Sequence, residues 1–230
     1  MYLHLMRLKN YSYLLFGFAL LGYSCISPPE NFPSTPEIEF SSLEYVGTSG
    51  QDSLLLTLNF KDAEGDLGLA ATDINPPFNP LLYKRDAAGA LITYSRRPSN
   101  APSYNPIDWV IDPIVNNAII KDTVWVEKNE NQYNIFVRFF IKRNGQFREF
   151  RWQDPPFYTT FNGRFPRILN TNIGQAVEGK ITYRMLSSGW ESIFRNDTLR
   201  IDVQIQDRAL NRSNEVSSAS VTLKQITRKK

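Results

Sequence analysis

The chain of 230 residues carries 26 Lys+Arg against 23 Asp+Glu, with one histidine and one cysteine. A formal charge of +3 spread over this length lacks the basic footprint of a nucleic-acid binder. A single cysteine permits no intramolecular disulfide, so a packed core must hold the domain together, and a chain of this size can supply one.

Arg7 and Lys9 precede an apolar run from Tyr11 to Tyr23 that ends at Ser24-Cys25. A short basic start, an apolar stretch and a small residue at the cut describe a secretory signal peptide over residues 1–24. The run is short for a membrane span, which needs about 20 residues. Removing the signal takes Arg7 and Lys9 away and lowers the formal charge from +3 to +1; it also removes His4, the only histidine. A chain without imidazole excludes Ser-His-Asp and Cys-His catalysis and lacks the commonest zinc ligand. Carboxylate-pair hydrolysis needs two acids on a shared cleft, which spacing alone does not show; the expectation is a protein that is not an enzyme. The cysteine directly after the small residue resembles a bacterial lipoprotein signal in the relaxed form of the Bacteroidota, with Tyr23 where a small residue is usual. That resemblance implies acylation (palmitate) of Cys25 as the mature N-terminus. With Ile26 rather than Asp following, it also implies passage to the outer membrane, facing the periplasm or the surface. An ordinary signal peptide with an incidental cysteine is the alternative.

Residues 25–36 include four prolines between Ser27 and Pro36 and predict an extended tether. From residue 37 apolar residues recur at every second position, the strand period. Glu37–Val46 is the first predicted strand. Leu54, Leu56, Leu58 and Phe60 mark the inward face of the second. Asp62-Ala63-Glu64-Gly65-Asp66-Leu67-Gly68-Leu69-Ala70-Ala71-Thr72-Asp73 follows, with acids at loop positions 1, 3, 5 and 12. Calcium loops of the EF-hand type use those positions because alternate side chains converge on one oxygen-lined hole. Asp62, Glu64, Asp66 and Asp73 are therefore candidate calcium ligands, with Asn75, Asp207 or Asn214 able to complete a site if the strand ends meet at one pole. Position 6 is Leu67 where such loops need glycine, and the competing reading is a solvated turn bent at Gly65 and Gly68.

Ala70–Pro113 contains seven prolines and predicts a long loop, because proline cannot donate to a central ladder. Lys121–Glu127 predicts a strand. Ile135, Val137, Phe139 and Ile141 run into Asn144-Gly145 and then Phe147–Trp152, a strong hairpin signal. Phe136 and Phe140 on the opposite face predict either a second covered side or an exposed apolar surface. Asp154–Gln175, with Pro155-Pro156 and Pro166, predicts a second long loop, with room for a helical turn near Pro166–Asn170. Long ordered loops usually have a use, and these two lift aromatic residues out of the regular core. Trp109 and Trp152 are candidate contacts to a glycan, since aromatic faces pack on sugar rings; burial in the core is the ordinary alternative. Ile181, Tyr183 and Met185, then Leu199–Gln206, then Ala219, Val221 and Leu223 predict the closing strands. Residues 226–230 read as a basic tail beyond a single domain at 37–225.

Asp52-Ser53-Leu54, Asp122-Thr123-Val124 and Asp197-Thr198-Leu199 resemble the O-glycosylation acceptor of exported Bacteroidota proteins, which implies glycans at Ser53, Thr123 and Thr198. Each triplet also sits where a turn hands over to a strand. Leu199 to Leu223 resembles the last hairpin of bacterial immunoglobulin-like domains, whose turn reads Asp-x-Ala-Gly-Asn-x-Ser; here it is Asp207-Arg208-Ala209-Leu210-Asn211-Arg212-Ser213, with Leu210 for the glycine. Together these features predict an all-β chain, an antiparallel immunoglobulin-like β-sandwich with long Pro-rich loops. The whole plan is similar to envelope lipoproteins of the Bacteroidota. That resemblance confers no function; the lack of imidazole and the aromatic-rich loops predict a non-enzymatic binding or structural module with an envelope protein or glycan as partner. A surface carbohydrate-binding protein and a calcium-dependent adhesion module are the alternatives.

Overall fold

A computed structural model describes residues 32–169, 174–187 and 189–228. The signal peptide, Cys25, most of the tether and the last two lysines lie outside the described residues.

The alternating stretches form antiparallel strands in two main sheets. In the first, β1 (Glu37–Val46) and β10 (Val177–Ser187) flank β2 (Asp52–Asp62). In the second the order is β12 (Val216–Ser217), β11 (Leu199–Ile205), β8 (Ile135–Arg143) and β9 (Gln146–Phe150). Leu54, Leu56, Leu58 and Ile181 of the first sheet share one apolar core with Ile135, Phe139, Leu199 and Ile201 of the second. Because successive side chains point to opposite faces, each sheet gives alternate residues to this core. Fully burying one such side chain stabilises by about 1.5–3 kcal/mol. The all-β, antiparallel expectation holds.

The turns follow their residues. Asn144 and Gly145 join β8 to β9 with φ of +50° and +80°, the left-handed pair that a two-residue hairpin requires. Tyr45 Oη donates to Asp52 Oδ2 (2.8 Å), and the Thr48 amide to Asp52 Oδ1 (2.9 Å), closing the β1–β2 connection. At the far end of β1, Asn214 clamps the Ile38 backbone by donating to its carbonyl and accepting from its amide, both at 2.8 Å, so the two sheets are tied by a side chain as well as by packing. Phe136 and Phe140 are neither bare nor covered by another layer. Arg212 lies 4.1 Å from the Phe136 ring centre and Arg200 lies 4.5 Å from that of Phe140, so guanidinium groups roof the outer face.

Several expectations need correction. The Pro-rich stretch after residue 70 is not all loop: β3 (Leu81–Tyr83) and β4 (Trp109–Ile111) pair on either side of β7 (Thr123–Lys128), and β5 (Ile114–Val115) pairs with β6 (Ala118–Ile119). Proline punctuates this small sheet without occupying its ladder positions. Residues 166–169 form no helical turn; helix α1 is Trp190–Phe194, and its apolar Trp190 and Phe194 are wholly buried. Beyond β12 the predicted strand shrinks to one bridge between Val221 and Leu199, and Leu223 opens helix α2 (Leu223–Ile226), whose N-cap Thr222 forms a capping box with Gln225. The segment after residue 225 is not free tail as far as 228: Thr227 bridges Tyr45, and Arg228 pairs with Glu44 at 2.7 Å.

Candidate metal centre

Asp62 ends β2, so its side chain arrives at the pole where the first sheet hands over to the inserted segment. Gly65 (φ +64°) and Gly68 (φ +92°) turn the chain back across the opening of the core. Neither has room for a side chain: a Cβ on Gly65 would lie 2.5 Å from the Gln175 carbonyl oxygen, and one on Gly68 would lie 2.2 Å from that of Pro166. Leu67, which with Asp66 lies between those bends, is fully buried and bridges Asp207, two residues beyond the end of β11. The bend therefore falls at loop positions 4 and 7, not at position 6, and the EF-hand conformation is replaced by one that plugs the pole with Leu67.

This plug brings three carboxylates together. Asp62, Asp66 and Asp207 are 0%, 8% and 3% exposed, and one oxygen from each lies within 4.8 Å of the others. Asp62 Oδ2 accepts the Asp66 amide (3.1 Å). Asp207 accepts the Asn211 amide at 2.7 Å through Oδ1 and the Asn211 side chain at 2.9 Å through Oδ2, the turn closure that the sequence motif implied. Among the described residues, buried Asp62 Oδ1, Asp66 Oδ1 and Glu64 Oε2 have no hydrogen-bond partner. Burial, with the neighbouring Asp66 charge adding to it, pushes the Asp62 carboxyl up to about 6. Asp66 is raised by burial and then by Asp207, against the opposing pull of Arg208. Arg208 is the adjacent cation, yet its Nη1 reaches only the Leu67 and Gly68 carbonyls at 3.4 Å.

Asp73, the fourth acid by spacing, is elsewhere. Arg167 grips it through Nη2 at 2.6 Å and Nε at 3.1 Å, and the Ala70 amide donates to it at 2.7 Å. Burial opposes ionisation of Asp73, but Arg167 and the Ala70 amide outweigh it and hold the carboxyl below its usual range. Asn214 is engaged with Ile38 and Asn75 is exposed, so of the three added candidates only Asp207 joins the cluster. Arg208 is the functional residue that no spacing rule singles out; its place beside Asp207 is the one local signal for it.

The other candidate residues separate cleanly by burial. Trp109, 2% exposed, stacks on Trp125 with ring centres 6.1 Å apart, and Trp152, 5% exposed, sits within the cluster of Phe139, Phe150, Phe161, Trp190 and Phe194. Neither presents a face to a sugar. Ser53 is 1% exposed and accepts Arg184 Nε at 2.9 Å, so the folded domain does not offer it for glycosylation; Thr123 and Thr198 are half-buried at strand starts. Cys25 lies outside the described residues. No family model, no curated protein and no solved structure matches this chain.

Proposed function

We propose that the protein is a lipid-anchored binding or structural module of the cell envelope, an immunoglobulin-like β-sandwich that meets its partner through the segment inserted between β2 and β8. The carrying observation is where apolar side chains stay exposed. Ile74, Tyr104, Ile107, Ile111, Ile114 and Ile119 all lie in that segment and are 46–68% exposed, in contrast to the sealed core. Outside that segment only Tyr158 and Leu186 are large apolar residues exposed to this degree among the described residues, and a concentration of exposed apolar residues marks an interaction surface. The strand orders, β1-β2-β10 against β12-β11-β8-β9, support the immunoglobulin-like reading, as does the Asp207–Ser213 turn. The acylated Cys25 of the proposal supplies the anchor and residues 25–36 the reach.

Two measurements test it. Metabolic fatty-acid labelling should mark the wild-type chain and not Cys25→Ala, and the wild-type chain should fractionate with membranes. Site-specific crosslinking in intact cells from Ile111 and Ile114 should trap a defined partner, lost on joint Ile111→Ser and Ile119→Ser substitution. An unlabelled, soluble protein removes the anchor, and an empty crosslinking profile removes the binding surface.

A further inference from the structure

The pole between β2 and β11 holds more negative charge than its surroundings neutralise. Asp62, Asp66 and Asp207 converge there, Glu64 lies near enough for its charge to act on Asp62 and Asp66, and Arg208 is the cation that acts on Asp66 among the described residues. None of these four acids takes part in a salt bridge among the described residues. Burying unpaired carboxylates is costly unless a counter-charge or a metal accompanies them. A second observation points the same way. Asp62 and Asp66 are more than nine-tenths buried, and each keeps Oδ1 without a partner, as does Oε2 of Glu64. The Asp66 and Gly65 amides act on Asp62 and the Ala209 amide on Asp66, but the three oxygens named are sealed from solvent with no hydrogen-bond partner.

We propose that this pole binds one divalent cation, calcium, coordinated by Asp62, Asp66 and Asp207 with Glu64 completing the oxygen shell. The donor set is all oxygen, which selects a hard cation over zinc or copper. Four carboxylates, each able to bind through one or two oxygens, suit the six to eight ligands and irregular geometry of calcium. Magnesium asks for a near-ideal octahedron and retains its waters. The placement gives the ion a structural task. Asp62 belongs to the end of the first sheet, Asp207 to the end of the second, and Asp66 to the root of the inserted segment, so one ion fastens all three. This inference rests on the pole's own geometry and is independent of the anchor and of the exposed isoleucines.

The test uses the full-length protein in detergent, stripped with chelator and titrated with calcium chloride by calorimetry and thermal melting. One ion per chain should bind, with a dissociation constant at or below the millimolar range of extracellular calcium modules, and the melting temperature should rise by about 5 °C or more at saturation. Asp66→Asn and Asp207→Asn should each weaken calcium binding at least tenfold, whereas Asp154→Asn, on an exposed carboxylate in another loop, should leave it unchanged. In chelator the two cluster variants should melt no lower than wild type, because each removes one of the crowded charges; this also shows that they fold. Should either variant fail to fold, the half-exposed Glu64→Gln carries the same affinity comparison. Absence of heat and of any melting shift up to about 10 mM calcium, undiminished binding by the cluster variants, equal loss in Asp154→Asn, or saturation by magnesium in preference to calcium would each overturn the assignment.

Discussion

The two-sheet core and the segment inserted between β2 and β8 are held by different forces. In the core, Leu54, Leu56, Leu58, Phe139, Leu199 and Ile201 are at most 1% exposed, and stability scales with apolar area removed from water. The inserted segment has its own small sheet, with Trp109, Val124 and Val126 buried beneath it, but its long approach is fastened by polar side chains reaching backbone carbonyls. Arg164 donates to Gln132 (2.5 Å), Asp73 (2.9 Å), Phe78 (3.0 Å) and Ala70 (3.2 Å), and Asn129 Nδ2 donates to Pro77 and Asn79, both at 2.7 Å. Apolar packing is non-directional and tolerant of detail; these bonds are directional and few. A segment held in this way should open without the core, and the core should not open without the whole domain.

The largest expected effect attacks the core. Phe139→Ala removes the ring that Trp152, Phe161, Trp190 and Phe194 all pack against, and should cost about 3–5 kcal/mol in urea denaturation. A loss below 1 kcal/mol would show that the cluster is not continuous with the core. Gly68→Ala comes next, at about 2 kcal/mol or more, since a Cβ there meets the Pro166 carbonyl at 2.2 Å in a left-handed backbone.

Arg164→Met sharpens the contrast. It should cost about 1.5–3 kcal/mol locally, with hydrogen exchange accelerating over residues 70–80 while β2 and β11 keep their protection. Equal loss in both regions would erase the distinction between them.

The cation-free acidic pole should have an inverted pH response. With its folded-state pKa raised from 3.8 to about 6, Asp62 holds its proton more tightly in the folded chain than in the unfolded one. Its contribution is therefore fully present below about pH 4 and lost as pH rises through about 6. The melting difference between wild type and Asp62→Asn should fall across that window; a difference that grows toward neutrality refutes the burial of that carboxylate. The smallest effect is at the closing turn, where Leu210 holds φ at +71° in the place usually given to glycine. Leu210→Gly should stabilise by about 0.5 kcal/mol, because relief of left-handed strain slightly exceeds the added freedom of the unfolded chain.

The acidic pole was half legible in the residues. Asp62, Glu64 and Asp66 stand within five positions, and their alternation already suggested convergence. Asp73 obeyed the same spacing rule, but Arg167, 94 residues away, claims it. Asp207 reaches the site only because Leu67 bridges it, and Arg164 gave no local sign of its role at all. Aromatic residues deceived in a similar way: Trp109 and Trp152 sit among prolines and polar residues, which reads as exposure, yet Tyr94 and Trp125 cover the first, and the β8–β9 hairpin, Phe161 and helix α1 cover the second.

Strand identity, the Asn144-Gly145 hairpin and the inward faces of β2, β8 and β11 were set by local order, because a period of two and a left-handed turn pair depend only on adjacent residues. That Asp62 meets Asp207 and that Arg184 seals Ser53 came from contacts across more than a hundred residues, and the covering of Trp109 and Trp152 from aromatic rings up to about forty residues away. Such contacts depend on how two faces fit in space, and alternation along one strand does not specify the strand opposite.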